Sequence, residues 1–229
     1  MKPERRRPKP RRRSGKQGGR PKKPKRRRGD LLAYERGFWG CGRCVAGVDE
    51  AGRGPLAGPV VAAAVILPEG ACVDGADDSK VLTPEVRTEL YDCIMATARC
   101  VGVGAASVRE IDRRNILRAT TVAMQRALDR LGEQPDHIVI DGLPVTHLGR
   151  EHDAVVDGDA LVHSIACASI VAKVVRDRLM HRLSHRYPGY AWDTNVGYST
   201  PEHRAAIQAL GVTPHHRLTF AGLQYELEI

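Results

Sequence analysis

The chain has 229 residues, 42% hydrophobic and only 4% aromatic, so its core must rest on Ala, Val, Leu and Ile. No apolar run approaches the ~18–20 residues that span a bilayer, and no apolar segment follows the basic N-terminus. A transmembrane helix and a secretory signal are therefore not expected, and the cytoplasm is. The net charge of +9 is unevenly divided: residues 1–28 hold sixteen Lys or Arg and one acid, which leaves the rest at −6.

The first 28 residues also contain five prolines and the triplets Arg5-Arg6-Arg7, Arg11-Arg12-Arg13 and Arg26-Arg27-Arg28. Like charges repel, proline blocks helix, and nothing after Met1 can seed a core. Residues 1–30 thus read as a disordered basic tail, and 31–229 as one domain. Such a tail suits a nonspecific tether to phosphate backbones; a solvated extension without consequence is the alternative. Among the six cysteines only Cys41 and Cys44 form a CxxC pair, a weak zinc signal by itself. Cys93, Cys100 and Cys167 lie in apolar contexts and read as buried thiols, and no structural disulfide is expected.

A short helix is expected near Leu31–Arg36, then a strand at Val45–Val48. Val60–Leu67 is a continuous apolar run of strand length, suited to a central strand buried on both faces. Thr83-Pro84-Glu85 supplies an N-cap, a first-turn proline and a first-turn acid, opening a helix to about residue 98. Cys100–Ala106 returns to strand. Residues 107–131 carry a helical apolar pattern broken near Arg113–Asn115. Strands come next at His137–Ile140, ending in Asp141-Gly142, and at Ala154–Val156, ending in Asp157-Gly158. A long helix spans Ile165–Leu183, and Thr200-Pro201-Glu202 opens another that Gly211 closes. The pattern gives a mixed α/β sheet of about five strands with helices on its faces and a helical C-terminal segment.

Three of these strands end in acids: Asp49 with Glu50, then Asp141, then Asp157 or Asp159. Strand ends of an α/β sheet are where ligands gather. Carboxylates crowded at one edge repel unless a cation intervenes, and hard Mg²⁺ or Mn²⁺ favours oxygen donors. Such ions serve phosphodiester hydrolysis. Equally, Asp-Gly is a common turn dipeptide, and strand-end acids are ordinary solvated residues. Asp49 and Glu50 face opposite sides of a regular strand and share a site only where it ends or bulges. Gly52 to Ala57 fits G-x-G-x-x-A, but it leads into an apolar strand where a dinucleotide-binding turn needs a helix.

Longer motifs sharpen this. The block from Val45 to Val60, with Gly52-Arg53-Gly54 inside it, closely resembles the first motif of bacterial ribonuclease HII. Asp78-Ser79-Lys80, Ile140-Asp141-Gly142, Gly158-Asp159 with Ser164 to Lys173, Asn195 to Thr200, and His215-His216-Arg217 to Phe220 continue the resemblance in order. It covers about residues 45–222. It implies a ribonuclease H-like fold and a metal-dependent endonuclease that hydrolyses RNA in RNA/DNA hybrids. It also implies incision 5′ of single ribonucleotides in duplex DNA, leaving 3′-hydroxyl and 5′-phosphate ends, with roles in ribonucleotide excision repair and DNA replication. By motif, the catalytic and metal-binding acids are Asp49, Glu50, Asp141 and Asp159, with Mg²⁺ or Mn²⁺ as cofactor. Asp159 is preferred to Asp157 because it fills the family's acid position before the helix.

The same resemblance assigns Gly52, Arg53 and Gly54 to the ribose 2′-hydroxyl and Tyr198 to stacking near that sugar. Lys80 and Lys173 are assigned to substrate phosphates. The competing reading is a loop cation for Lys80 and a helix pair with Asp177 for Lys173. Val196 departs from the lysine the family often carries, and Cys167 from its usual alanine. His163, His203, His215 and His216 read as surface or packing residues. Nucleic acid is the expected partner, no membrane is, and nothing demands more than a monomer. A noncatalytic nucleic-acid-binding protein is the alternative from another class.

Overall fold

Five strands make one mixed sheet: β1 (Val45–Ala51), β2 (Val60–Ile66), β3 (Cys100–Ala106), β4 (His137–Asp141) and β5 (Asp153–Val155). The structure, a computed structural model, describes residues 30–76 and 82–226. The strand order is β3-β2-β1-β4-β5. β1, β2 and β3 pair antiparallel, whereas β4 runs parallel to both β1 and β5. Residues 1–29 of the expected tail and Asp78-Ser79-Lys80 lie outside the described residues.

Eight helices are described: α1 (Ala33–Trp39), α2 (Pro84–Thr97), α3 (Val108–Arg114), α4 (Ile116–Asp129), α5 (His163–Arg186), α6 (Trp192–Asn195), α7 (Pro201–Leu210) and α8 (Ala221–Glu226). The expected caps are present: Thr83 accepts from the Val86 N–H at 3.4 Å, and Thr200 from the His203 N–H at 3.3 Å. Ser107 and Glu110 form a capping box, a serine and a glutamate three apart that each satisfy the other's backbone N–H. The break expected near residues 113–115 falls at Asn115, whose φ of 68° separates α3 from α4. Its side chain then caps α4 by accepting from the Arg118 N–H at 3.1 Å.

β2 is buried at every position, which is why VVAAAVI reads as an unbroken apolar run. Its two faces pack different helices. Ala62, Ala64 and Ile66 meet Ala123, Met124 and Leu128 of α4. Ala63 and Val65 meet Ala168, Val171 and Ala172 of α5 and Ile94 of α2. Fully burying a side chain such as Ile66 contributes about 1.5–3 kcal/mol. With so few aromatics, small residues must bring helices close to the sheet. At Gly47 on β1, a Cβ would collide with the backbone of Ser164 and Ile165, so glycine sets the approach of α5.

The start of α5 is capped from a distance. Glu35 of α1, 1% exposed, accepts the Ser164 N–H at 2.7 Å, and burial raises its pKa. A third apolar cluster joins Leu56 and Ala57 to Met180, Tyr190, Trp192, Ile207 and Leu223. It docks the C-terminal helices beside the segment that succeeds β1. All six cysteines are free thiols, but Cys93 is exposed and Cys100 half-buried; of the three expected inside, only Cys167 is. The outer face of α2 carries Cys93, a distinction that local apolar context does not make.

Candidate active site

Parallel pairing of β1 with β4 sets Val48 opposite Ile140. Asp49 and Asp141 each come one residue later, so both point to the face covered by α5. Asp159 arrives from the 3-10 turn Gly158–Ala160 that leads into α5. The carboxylate oxygens of Asp49, Asp141 and Asp159 come within 4.8 Å of one another. Asp49 is 4% exposed, and its Oδ1 accepts the Glu50 N–H at 2.7 Å. Burial first, then the charges of Glu50 and Asp141, push its pKa well above the usual carboxylate range, against a hydrogen bond from Ser169. Asp141 Oδ1 accepts the Gly158 N–H at 2.7 Å, tying the turn of Asp159 to the end of β4.

Glu50 is outside this group of three. β1 keeps its pairing with β2 through Ala51 and Val61, so no bulge turns Glu50 to the α5 side. It lines a neighbouring cleft of about 530 Å³ with Arg53, Asn115, Thr121, Asp141 and His147. Arg53 Nη1 donates to Glu50 Oε1 at 3.0 Å. Asp141 therefore belongs to both the triad and the cleft. Asp157 stands exposed at a left-handed φ of 57°, a turn residue, which separates it from Asp159.

The segment after β1 is held by two arginines that sequence reasoning did not single out as functional. Arg217 donates to Gly52 O at 2.6 Å, to Arg53 O at 2.9 Å, and to Gly58 O at 2.8 and 3.0 Å. Arg176 donates to Pro59 O at 3.1 Å, Ala57 O at 3.1 Å and Val196 O at 3.0 Å. Both are buried, Arg217 at 0% and Arg176 at 1% exposure. Burial lowers both pKa values, and for Arg217 the charge of Arg176 adds to it, bringing it to about 9. A signal for Arg176 was available, since it lies four residues from both Ala172 and Met180 on the buried stripe of α5. A cation there needs carbonyl partners.

The consequence is directional. In a trans peptide the C=O and N–H point opposite ways, and no cis peptide occurs among the described residues. With the Gly52 and Arg53 carbonyls turned to Arg217, the N–H groups of Arg53 and Gly54 face away from it, where both residues are exposed. Gly52 itself has φ +94°, and a Cβ there would collide with Arg176 and come within 2.9 Å of Pro59 O. The turn leads into β2 rather than a helix, so the dinucleotide-binding alternative fails. Tyr198 is 45% exposed. Its Cε1 lies 3.8 Å from where a Cβ on Gly54 would be, so the sugar-contact candidates adjoin.

Lys173 is placed differently. Its Nζ bonds both carboxylate oxygens of Asp177, at 2.5 and 2.6 Å, and Arg87 shares that acid at 3.1 Å. Burial lowers its pKa against the pull of Asp177. The helix pair weighed from the sequence is therefore formed. Lys80 lies outside the described residues.

Comparison with known proteins agrees with this architecture. A family model described as Ribonuclease HII matches residues 46–223. The ribonuclease HII of Synechococcus sp. (strain JA-3-3Ab) is 54% identical over 197 residues, covering 84% of this chain and 89% of its own. That of Geobacillus kaustophilus (strain HTA426) is 50% identical over 200 residues, covering 87% and 76%. Ribonuclease H2 from Pyrococcus horikoshii OT3 superposes with a TM-score of 0.70 at 28% identity, over 81% of this chain and 97% of its own. A ribonuclease HIII solved with Mn²⁺ has a TM-score of 0.63 at 20% identity, covering 81% and 70%, and shares the fold. These likenesses define the class, a ribonuclease H enzyme that works with a divalent metal. More narrowly, the chain belongs to the ribonuclease HII family. No helix among the described residues is long and apolar enough to cross a membrane.

Proposed function

We propose that the protein hydrolyses RNA in RNA/DNA hybrids and incises 5′ of single ribonucleotides in duplex DNA, leaving 3′-hydroxyl and 5′-phosphate ends. The observation that carries this reading is one of proximity. Asp49 of the carboxylate triad lies three residues from Gly52 along the chain, and Gly54 of the same turn adjoins the exposed Tyr198.

The triad fits a hard divalent cation. At 4.8 Å two unit charges repel by about 3.5 kcal/mol at an effective dielectric of about 20, and the pKa of Asp49 is raised by burial first and then by the charges of Glu50 and Asp141. An all-oxygen donor set suits Mg²⁺ or Mn²⁺. Asp49, Asp141 and Asp159 would hold the ion, and Glu50 offers a further carboxylate from the adjoining cleft. When bound, the ion supplies Lewis-acid charge at the phosphate and a water of lowered pKa. The 2′-hydroxyl is what separates RNA from DNA at one nucleotide. The Arg53 and Gly54 N–H groups donate to that oxygen, and the ring of Tyr198 packs against the same sugar. Lys173, if released from Asp177, reaches a phosphate. Residues 1–28 tether the protein to nucleic acid by counterion release, and it acts as a cytoplasmic monomer.

The test is a labelled DNA duplex with one ribonucleotide, beside a long hybrid and an all-DNA duplex, in Mg²⁺, in Mn²⁺ and in chelator. Metal-dependent cuts 5′ of the ribonucleotide, with the all-DNA duplex intact, support the reading. Binding without cleavage in either metal would establish the noncatalytic alternative. Deletion of residues 1–28 should weaken duplex binding at low salt and leave turnover at saturating substrate unchanged.

A further inference from the structure

Tyr198 sits on backbone that does not favour its own shape. Val196 has φ 43° and Gly197 φ 87°, both left-handed, and a β-branched residue there is strained. Something outside the segment must impose this conformation. Arg176 takes the Val196 carbonyl, and the Asn195 side chain accepts the Gly197 N–H at 2.8 Å. The carbonyl of Tyr198 itself accepts the Thr200 N–H at 2.9 Å and lies 2.8 Å from Nδ1 of His203, a fully buried residue of α7.

Neighbours that can only donate fix the proton positions in this group. The Thr213 N–H donates to His216 Nδ1 at 2.9 Å, so that nitrogen is bare. A neutral His216 then carries its hydrogen on Nε2, which donates to His203 Nε2 at 3.1 Å. The Trp192 indole N–H donates to the same His203 Nε2 at 3.0 Å. Both donors share the single lone pair of His203 Nε2, which is therefore the bare nitrogen, and the one hydrogen of the ring must sit on Nδ1, aimed at the Tyr198 carbonyl. Burial lowers the pKa of both imidazoles, in keeping with neutral rings.

We propose that His203 is a positioning residue for ribonucleotide recognition: Trp192 and His216 lock its tautomer so that Nδ1–H fixes the Tyr198 backbone and thereby the ring beside Gly54. This rests on the reading of Tyr198 as the residue packed against the ribonucleotide sugar. The chain of bonds runs from a loop at Thr213, through the core of the C-terminal cluster, to an exposed aromatic face. Its three ring members, Trp192, His203 and His216, are all buried.

Two substitutions separate the two edges of the imidazole. In His203→Asn, Nδ2 stands near the place of Nδ1 and keeps the donor to Tyr198, while Trp192 and His216 lose their acceptor. In His203→Gln, Oε1 reaches the far edge and accepts from Trp192 and His216, while the donor to Tyr198 is lost. Stability and recognition should then move in opposite order. His203→Asn should lower the Tm more, yet cut a single-ribonucleotide duplex at nearly the wild-type rate below that Tm. His203→Gln should hold the Tm better and lose about tenfold in kcat on that duplex. Tyr198→Ala is measured alongside, and His203→Gln should cost nothing further on that background. Cleavage that follows Tm across both variants, or is unchanged in His203→Gln while Tyr198→Ala is impaired, overturns the positioning role alone. Unchanged cleavage in Tyr198→Ala removes the reading of Tyr198 and this proposal with it.

Discussion

Replacing Asp49 with Asn should abolish turnover and at the same time stabilise the metal-free protein. Asp49 is 4% exposed, with an oxygen within 4.8 Å of those of Asp141 and Asp159. Two unit charges at 4.8 Å, the outer limit of that spacing, repel by about 3.5 kcal/mol at an effective dielectric of about 20. Burial first, then the charges of Glu50 and Asp141, raise the pKa of Asp49, which relieves part of this cost. The residual destabilisation, about 1–3 kcal/mol, is a typical cost of an imperfectly compensated buried charge. Asn removes the charge but retains an oxygen for the Glu50 N–H, bonded at 2.7 Å in the parent. In a domain of this size each ~1 kcal/mol moves Tm by about 2–4 °C. Thermal unfolding followed by circular dichroism in chelator should therefore show the variant melting ~2–12 °C higher. Excess Mg²⁺ or Mn²⁺ should raise the wild-type Tm and raise that of the variant less, since its site has one charge fewer. A variant that melts below wild type in chelator, or a wild type indifferent to both metals, would refute the account of the triad.

Other perturbations probe the scaffold around it. Gly47→Ala drives a methyl into the Ser164–Ile165 backbone and should destabilise by about 2–3 kcal/mol, read as a lower urea midpoint; an unchanged midpoint contradicts the packing of α5 on β1. Arg217→Met keeps bulk but strips four hydrogen bonds from the carbonyls of Gly52, Arg53 and Gly58. It should cost about 2–4 kcal/mol and raise KM for a ribonucleotide-containing duplex, and a variant normal in both would show the turn to be held otherwise. His216 has its pKa lowered to about 4, by burial first and then by His203. Below about pH 6.5 the unfolded chain binds a proton that the fold rejects. Stability should be full above that pH and fall by about 3 kcal/mol on acidification to pH 4, with a shallower fall in His216→Asn. A stability profile flat between pH 6.5 and 4 contradicts the buried neutral pair.

Local chemistry made much of the fold legible. The unbroken VVAAAVIL run, the paired Thr-Pro-Glu helix starts and the interruption at Asn115 each act within a few residues, and the elements fall close to where they point. The strand-end acids were legible as candidates for the same reason, since alternation along a strand and the turn after it are local. The Ser107–Glu110 capping box carries a mark of the same local kind, a serine and a glutamate three apart, that the sequence reading did not use.

Which acids meet is another matter. Spacing alone left Asp157 and Asp159 open and set Glu50 opposite Asp49 unless the strand ended or bulged there, because a carboxylate's neighbours are set by register between strands remote in sequence. Parallel pairing of β1 with β4 decides that Asp49 and Asp141 share a face, and continued pairing through Ala51 leaves Glu50 on the other side. The arginines show this most sharply. In the sequence Arg176 and Arg217 are two cations among 36 basic residues; Arg176 has its place on the apolar stripe of α5 as a local mark, and Arg217 has none. Only the folded chain brings six carbonyls from distant segments around them, and that long-range cage turns two expensive buried charges into the support of a turn. Sequence by itself determined the elements and the chemical types on offer, since propensity, capping and hydrophobic period act over neighbouring residues. The tertiary structure decided their company, because burial, electrostatic coupling and hydrogen-bond partnership depend on distances in space that the order of residues does not contain.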